Sequence, residues 1–254
     1  FERSIDQDQR HAEGAHFTSE VDIMKIVRPT IVLPWREAIA AAGKKVGVLQ
    51  ELATRITKFR VLDPACGSGN FLYVAYRALV QVELELLARL VEVSGPTTRK
   101  RTSSMLSTLN FYGLDVNPFA VELAKVTLML AKRLAIVEAK TSLELREERG
   151  ELPLEVDSPL PLDNLENNIR CADALFEDKW PQAELGREYL SDLRARYKDV
   201  PGRADYCTYW FRRAHDHLAA GARAGLVGTN TIRQNESREA SLDYIVKNGG
   251  TITE

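Results

Sequence analysis

Three aspartates each close a short apolar run, and a double-glycine turn follows the first. Asp63 ends Val61-Leu62, Asp115 ends Phe111-Tyr112-Gly113-Leu114, and Asp173 ends Ile169-Arg170-Cys171-Ala172. The turn is Pro64-Ala65-Cys66-Gly67-Ser68-Gly69. Carboxylates gathered at neighbouring strand ends can accept hydrogen bonds from ligand hydroxyls and amines and can balance a positive charge. Gly67 and Gly69 allow positive φ and a close approach of backbone to ligand. An acid closing the strand after such a turn typically takes ribose hydroxyls, and the third acid can take an exocyclic amine. Each acid also has a plain structural use. Asp63 before Pro64 suits a turn cap, Asp115 two residues before Asn117 suits a helix entry, and Asp173 suits a solvated surface. It is their joint order that argues for one ligand site.

Such a site needs parallel strands with helical crossovers, and the pattern supplies them. Phe59 through Asp63 reads as a strand, followed by a helix with apolar Phe71, Leu72, Val74, Ala75, Ala78, Leu79 and Val82. Phe111–Asp115 reads as a second strand. Asn117 then caps a helix with Pro118 in its first turn and an apolar set Phe119, Val121, Leu123, Ala124, Val126, Leu128, Leu130 and Ala131. Residues 168–173 read as a third strand, Ala204–Ala220 as an aromatic-rich helix and Ser237–Lys247 as another helix. Gly225–Thr229 and Gly250–Thr253 read as further strands. Upstream, Ser19 to Ala42 reads as a helix with a Ser19/Asp22 capping box, broken or kinked at Pro29 and Pro34. Val46–Lys58 reads as a second helix. Residues 94–108 read as a basic loop, and residues 141–166 as an acidic, proline-containing surface excursion. Alternating strands and helices argue for a parallel α/β sheet. The expected division is an N-terminal helical segment, 1–57, and a core, 58–254.

The bulk numbers agree with a globular domain. The chain has 254 residues, 44% hydrophobic and 28% charged. No apolar run approaches the ~18 residues of a membrane span. The net charge of −2 gives no general attraction to nucleic acid. The three cysteines, Cys66, Cys171 and Cys207, lack metal spacing. A reduced, cytoplasmic setting is expected. The first residue is Phe1 rather than Met, so a fragment of a larger protein is expected.

The run Asp-Pro-Ala-Cys-Gly-Ser-Gly-Asn-Phe at 63–71 resembles the S-adenosylmethionine loop of amino (N6-adenine) DNA methyltransferases. A nicotinamide reading fits poorly. Leu72 stands where the third glycine of the dinucleotide fingerprint belongs, and Asp115 comes 46 residues after Gly69 instead of ~20. A pyrophosphate also wants a bare helix N-terminus, whereas a sulfonium is cationic and suits nearby carboxylates.

The order of motifs extends the resemblance. Gly14-Ala15-His16-Phe17-Thr18-Ser19 is similar to the family element that folds over the methionine end of the cofactor, and it implies that Phe17 and Thr18 contact the cofactor carboxylate. Asp-Pro-Ala-Cys-Gly-Ser-Gly, Gly-Leu-Asp-Val-Asn-Pro and Asn-Ile-Arg-Cys-Ala-Asp-Ala-Leu follow, as in the gamma arrangement of N6-adenine methyltransferases. The segments Val200–Tyr206, Tyr209-Trp210-Phe211 and Gly228–Arg233 resemble the methyltransferase domain of single-chain Type II restriction–modification enzymes of the MmeI-like group. The resemblance implies a Rossmann-like class I fold, with a mostly parallel central sheet flanked by helices and an N-terminal helical extension. It implies S-adenosylmethionine held by Phe17, Thr18, Asp63, Ala65, Gly67, Gly69, Asp115, Val116, Asp173 and Ala174, and methyl transfer to a flipped adenine without metal. It implies double-stranded DNA as partner, through a recognition domain outside this sequence. A nuclease domain in the whole protein and the oligomeric state stay open.

One family motif is absent. Such enzymes carry Asn/Asp-Pro-Pro-aromatic at the end of the fourth strand, where an amide and a carbonyl accept the adenine N–H groups and a ring stacks on the extruded base. Asn117-Pro118-Phe119 follows the wrong strand, so no catalytic residue is assigned. Residues 176–199 hold no apolar run of four. Losing a central strand would leave backbone groups unpaired, at a cost on the order of several kcal/mol. The expectation is a segment of roughly 12–20 residues missing near Pro181–Leu185, which an intact mass would test. A catalytically silent cofactor- or nucleotide-sensing module is the alternative.

The remaining candidates read as structural. His215 and His217, two apart on a helix, face different ways. Cys66 reads as a small packed residue. Arg99-Lys100-Arg101 reads as a solvated loop, with DNA phosphate as the other use. Tyr206, Tyr209, Trp210 and Phe211 read as helix packing, with base stacking as the other use.

Overall fold

The computed structural model describes residues 18–94, 106–147, 163–175 and 187–253. The chain divides into two compact units, Phe1–Ala172 and Asp173–Glu254. Phe17, the basic run 99–101 and Pro181–Leu185 lie outside the described residues.

In the first unit, α1 (Glu20–Val27), a π-helical turn (Arg28–Val32) and α2 (Leu33–Ala42) form one continuous helical run. Ser19 caps it. Its Oγ accepts from the Asp22 amide at 3.2 Å and donates to Asp22 Oδ2 at 2.7 Å. The break or kink expected at Pro29 takes the form of a π-helical turn within an unbroken helical run. A proline removes one amide donor, and here the Leu33 amide reaches back to the Arg28 carbonyl, the wider spacing of a π-turn. After α3 (Val46–Ile56) come β1 (Val61–Asp63), α4 (Asn70–Ser94), β2 (Phe111–Asp115), α5 (Pro118–Glu147) and β3 (Ile169–Cys171).

The strands form a parallel sheet in the order β1-β2-β3. Val61 pairs with Phe111 and Asp63 with Gly113, while Gly113 pairs with Ile169 and Asp115 with Cys171. Asn168 clamps the entry to β3, donating to the carbonyls of Leu109 at 2.7 Å and Phe111 at 3.3 Å. The helices that the sequence sets apart as 1–57 share one core with the sheet. Ile23, Leu49 and Ile56 are buried with Leu72, Phe111 and Ile169.

Two sequence expectations change here. Helix α5 runs on through Glu147, because the stretch from 141 contains no proline before Pro153. Its buried face is Val121, Ala124, Leu128, Ala131 and Ala135, while Phe119, Val126 and Leu130 point outward. The expected set mixed two faces. Asn117 does cap α5, its Oδ1 accepting from the amides of Phe119 at 2.9 Å and Ala120 at 3.2 Å.

The second unit contains α6 (Arg187–Arg196), α7 (Cys207–His217), a 3-10 turn (Asn230–Arg233) and a helical run of α8 (Asn235–Arg238), a π-turn (Glu239–Asp243) and α9 (Tyr244–Lys247). Residues 225–229 and 250–253 are not strands. Strand patterning needs a neighbouring ladder to become a strand, and Val227 and Ile252 lie exposed without one. Leu175, Leu193, Tyr197, Val200, Tyr209 and Ala240 form this unit's core. The Arg212 guanidinium is buried over the Tyr244 ring, 3.3 Å from its centroid, and pairs with Asp199.

Removing the cap with Asn117→Ala should destabilise the protein by about 1 kcal/mol, read as a lower midpoint in urea or thermal unfolding with no change in cooperativity.

Candidate functional site

The carboxyl edge of β1 and β2 is built by backbone hydrogen bonds that leave few degrees of freedom. The Cys66 amide donates to the Leu114 carbonyl at 2.9 Å, which folds the turn after β1 back onto β2. The Gly69 amide donates to the Cys66 carbonyl at 2.8 Å, and the Tyr73 amide to the Gly69 carbonyl at 2.9 Å, starting α4. The Gly67 amide donates to Asp115 Oδ2 at 2.8 Å. The other oxygen of Asp115 accepts from the Asn117 amide at 2.9 Å. Each carboxylate oxygen has a second lone pair, so Asp115 keeps acceptor capacity for a ligand hydroxyl while holding the turn.

The glycines are required for different reasons. Gly67 has φ +51° and a Cβ there would meet no described atom within 4 Å. Gly69 has φ +85° and its Cβ would come within 2.9 Å of Ala124 Cα on α5. Gly113, in mid-strand, would bring a Cβ 2.9 Å from Cys66 Sγ. Gly113 belongs to the site's framework although no site role was expected of it. A glycine inside a strand pattern signals close approach, and that signal was present.

Asp63 is the electrostatically unusual group. Its Oδ1 accepts from the Ala65 amide at 3.1 Å, the turn cap, while its Oδ2 is buried without a hydrogen-bond partner in the protein. Burial, partly offset by the Ala65 amide and reinforced by the Asp115 charge, pushes its carboxyl up to about 6. A buried carboxylate oxygen with no donor is costly and suits a cationic or hydrogen-bonding ligand group. Val116, just past Asp115, is an apolar side chain 61% exposed at the tip of β2. Burial also drives the Cys66 thiol far up, so it is a packed group and not a thiolate.

The structure thus brings together Asp63, Gly67, Gly69, Asp115 and Val116. Ala65 is exposed on the same turn, and Thr18 is half-buried ahead of α1. Asp173 stands two residues beyond Cys171, which pairs with Asp115. It opens the second unit, where its Oδ1 accepts from the Leu175 amide at 2.9 Å and Ala174 is buried. In that unit the Asp205 carboxylate accepts from the Thr231 hydroxyl, the Cys207 amide and the Thr229 hydroxyl, which lowers it to about 2. Tyr209 is buried in an edge-on pair with Tyr197, and His215 packs edge-on to Tyr244. Among the described residues there is no cluster of potential metal ligands, and no helix is long and apolar enough to cross a membrane.

Residues 39–186 match the sequence profile described as MmeI, DNA-methyltransferase domain. The chain belongs to this family. Among curated proteins it is 27% identical, over 268 aligned positions and 96% of its length, to DNA methyltransferase A of Bacillus subtilis (strain 168). It is 29% identical over 159 positions, 59% of its length, to the adenine-specific methyltransferase PglX of Streptomyces coelicolor. The chain spans 29% and 12% of those two relatives. Its fold is that of a solved structure of the Type IIL restriction–modification enzyme MmeI in complex with DNA. The TM-score is 0.74 at 22% identity, over 96% of this chain and 34% of that one. The Rossmann-like methyltransferase fold expected from the sequence is therefore present, in a domain of the MmeI methyltransferase family.

Two glycine substitutions should separate space from strain. Gly69→Ala should destabilise the protein by more than 2 kcal/mol, because left-handed strain of about 1–2 kcal/mol adds to a backbone clash. Gly67→Ala carries the strain alone and should cost less. Paired unfolding curves check the order.

Proposed function

We propose that this domain binds S-adenosylmethionine at the β1–β2 edge and acts within a DNA adenine-N6 methyltransferase of a restriction–modification or phage-defence system. The observation that carries the reading is the Gly67 amide bonded to Asp115 Oδ2 at 2.8 Å beside an unpartnered buried oxygen of Asp63. These residues fit the cofactor. A carbon added at Gly67 would meet no described atom within 4 Å, two carboxylates suit the cofactor's positive charge, and the exposed Val116 offers an apolar surface for its base. Asp115 would take ribose hydroxyls with its spare lone pairs, Asp63 would face a cationic group, and Gly67 and Gly69 would admit the cofactor to the backbone. Phe17, Thr18, Ala65, Asp173 and Ala174 complete the proposed set, and the division at 57/58 belongs to the same proposal. Bound there, the cofactor supplies an electrophilic methyl group on a sulfonium.

The relatives support the substrate. One is named DNA methyltransferase, another adenine-specific methyltransferase, and the solved structure is a DNA complex. Double-stranded DNA would be engaged through a recognition domain elsewhere in the whole protein. The match to the Bacillus protein spans 268 positions against 254 residues in this chain, so that relative has residues where this chain has none. An intervening segment carrying the Asn/Asp-Pro-Pro-aromatic motif would be one place for such residues. One observation favours the silent sensing module: that motif occurs nowhere in the 254 residues.

Calorimetric titration with S-adenosylmethionine should show binding, and Asp115→Ala should weaken it about 10- to 100-fold, the loss of charge-assisted hydrogen bonds. Transfer of labelled methyl to adenine-containing but not adenine-free duplex supports the enzyme. Binding without transfer, in a chain whose mass equals that of its 254 residues, supports the silent module.

The pH dependence follows from Asp63. Its folded-state pKa is raised to about 6, so the free protein protonates it as pH falls through that value. A cationic ligand prefers the ionised form, so affinity should drop below about pH 6, by at most about tenfold per pH unit. Asp63→Asn should lower affinity at neutral pH and flatten this slope.

A further inference from the structure

Helix α5 is apolar on two opposite faces. One, Val121, Ala124, Leu128, Ala131 and Ala135, is buried against the sheet and α4. The other faces solvent, with Val126 and Leu130 each 54% exposed, Leu134 42% and Val137 49%, and Phe119 exposed at its N-terminal end. At 3.6 residues per turn, Phe119, Val126, Leu130 and Val137 fall within about 20° of one line along the helix, and that line is about 27 Å long. A surface helix needs one apolar stripe. A contiguous second one marks an interaction site.

The stripe is self-complementary. Glu122 and Arg133 are exposed charges on the same flank of it, and they sit at nearly equal distances on either side of Leu128. A two-fold axis crossing the helix at the level of Leu128 would lay a second α5 antiparallel along the first. Phe119 would then meet Val137, Val126 would meet Leu130, and Glu122 would meet Arg133, every pairing made twice. An isologous contact has this property, that one patch must complement itself. A stripe shaped for an unrelated partner has no reason to place its acid and its base symmetrically about its own midpoint. Glu122 is bonded to Lys125 at 2.7 Å, but Lys125 also holds Glu166 at 2.7 Å, so Glu122 can turn to a partner without leaving that ammonium alone. We infer that the outer face of α5 is a self-association surface, occupied by the α5 of a second copy of this chain in antiparallel orientation. This inference does not depend on the cofactor or on the reaction.

The test is sedimentation equilibrium of the intact chain over a wide concentration range, with unfolding curves as a check on each variant. The expected result is a reversible dimer, with Leu130→Glu monomeric. Glu122→Arg should raise the dissociation constant about tenfold or more, and adding Arg133→Glu to it should restore dimerisation. The charge-swapped pair decides the matter even if Leu130→Glu perturbs folding. A chain that stays monomeric at every concentration would overturn the inference, and would leave the stripe to another part of a longer polypeptide. So would a dimer indifferent to Leu130→Glu, or a double variant as weak as Glu122→Arg alone.

Discussion

The hydrogen bond from the Gly67 amide to the carboxylate of Asp115, beside the backbone bond from Cys66 to Leu114, joins the turn after β1 to the end of β2. It is charge-assisted and local to the strand tips, so it is stronger than a neutral backbone bond. It also fixes what each partner can do next. Asp115 is held by the Gly67 and Asn117 amides with lone pairs to spare, and the turn is held at a positive φ. Together with the Cys66–Leu114 bond, the Gly67–Asp115 bond gathers the residues of the site.

The packing around that bond is tight in two places and open in one. Gly113 lets Cys66 tuck under the strand, and Gly69 lets α5 approach the turn at Ala124. Both contacts would fail with a single added carbon, so the turn is wedged between β2 and α5. At Gly67 an added carbon would meet no described atom within 4 Å. Close packing at Gly69 and Gly113 with room at Gly67 suits a binding turn. The unpartnered Asp63 oxygen beneath it holds an unfavourable charge that a cation would relieve, which turns a local cost of the free protein into selectivity for a cationic ligand.

Much of this was legible in the sequence. The strands at 61–63, 111–115 and 169–171, the caps at Ser19 and Asn117, and the glycine turn follow from local rules of alternation, capping and positive φ. What local rules cannot supply is a neighbour. Gly225–Thr229 and Gly250–Thr253 carry strand composition, yet they lie exposed with no described strand beside them. Pro29 has the chemistry of a break, but the helices on either side share one buried face, and a π-turn costs less than losing it. In α5 the apolar residues mix an inner and an outer stripe, and only the fold shows which faces the sheet. Gly113 and the orphaned oxygen of Asp63 depend on contacts between distant segments, so sequence alone gave at most a hint of either.

The most direct check is a crystal structure of the chain with S-adenosylmethionine bound. The account requires the donor at the β1–β2 edge, with its ribose hydroxyls within hydrogen-bonding distance of Asp115 and its backbone-facing side over Gly67. A donor seated elsewhere, or one that leaves Asp115 holding only the amides of Gly67 and Asn117, would contradict it.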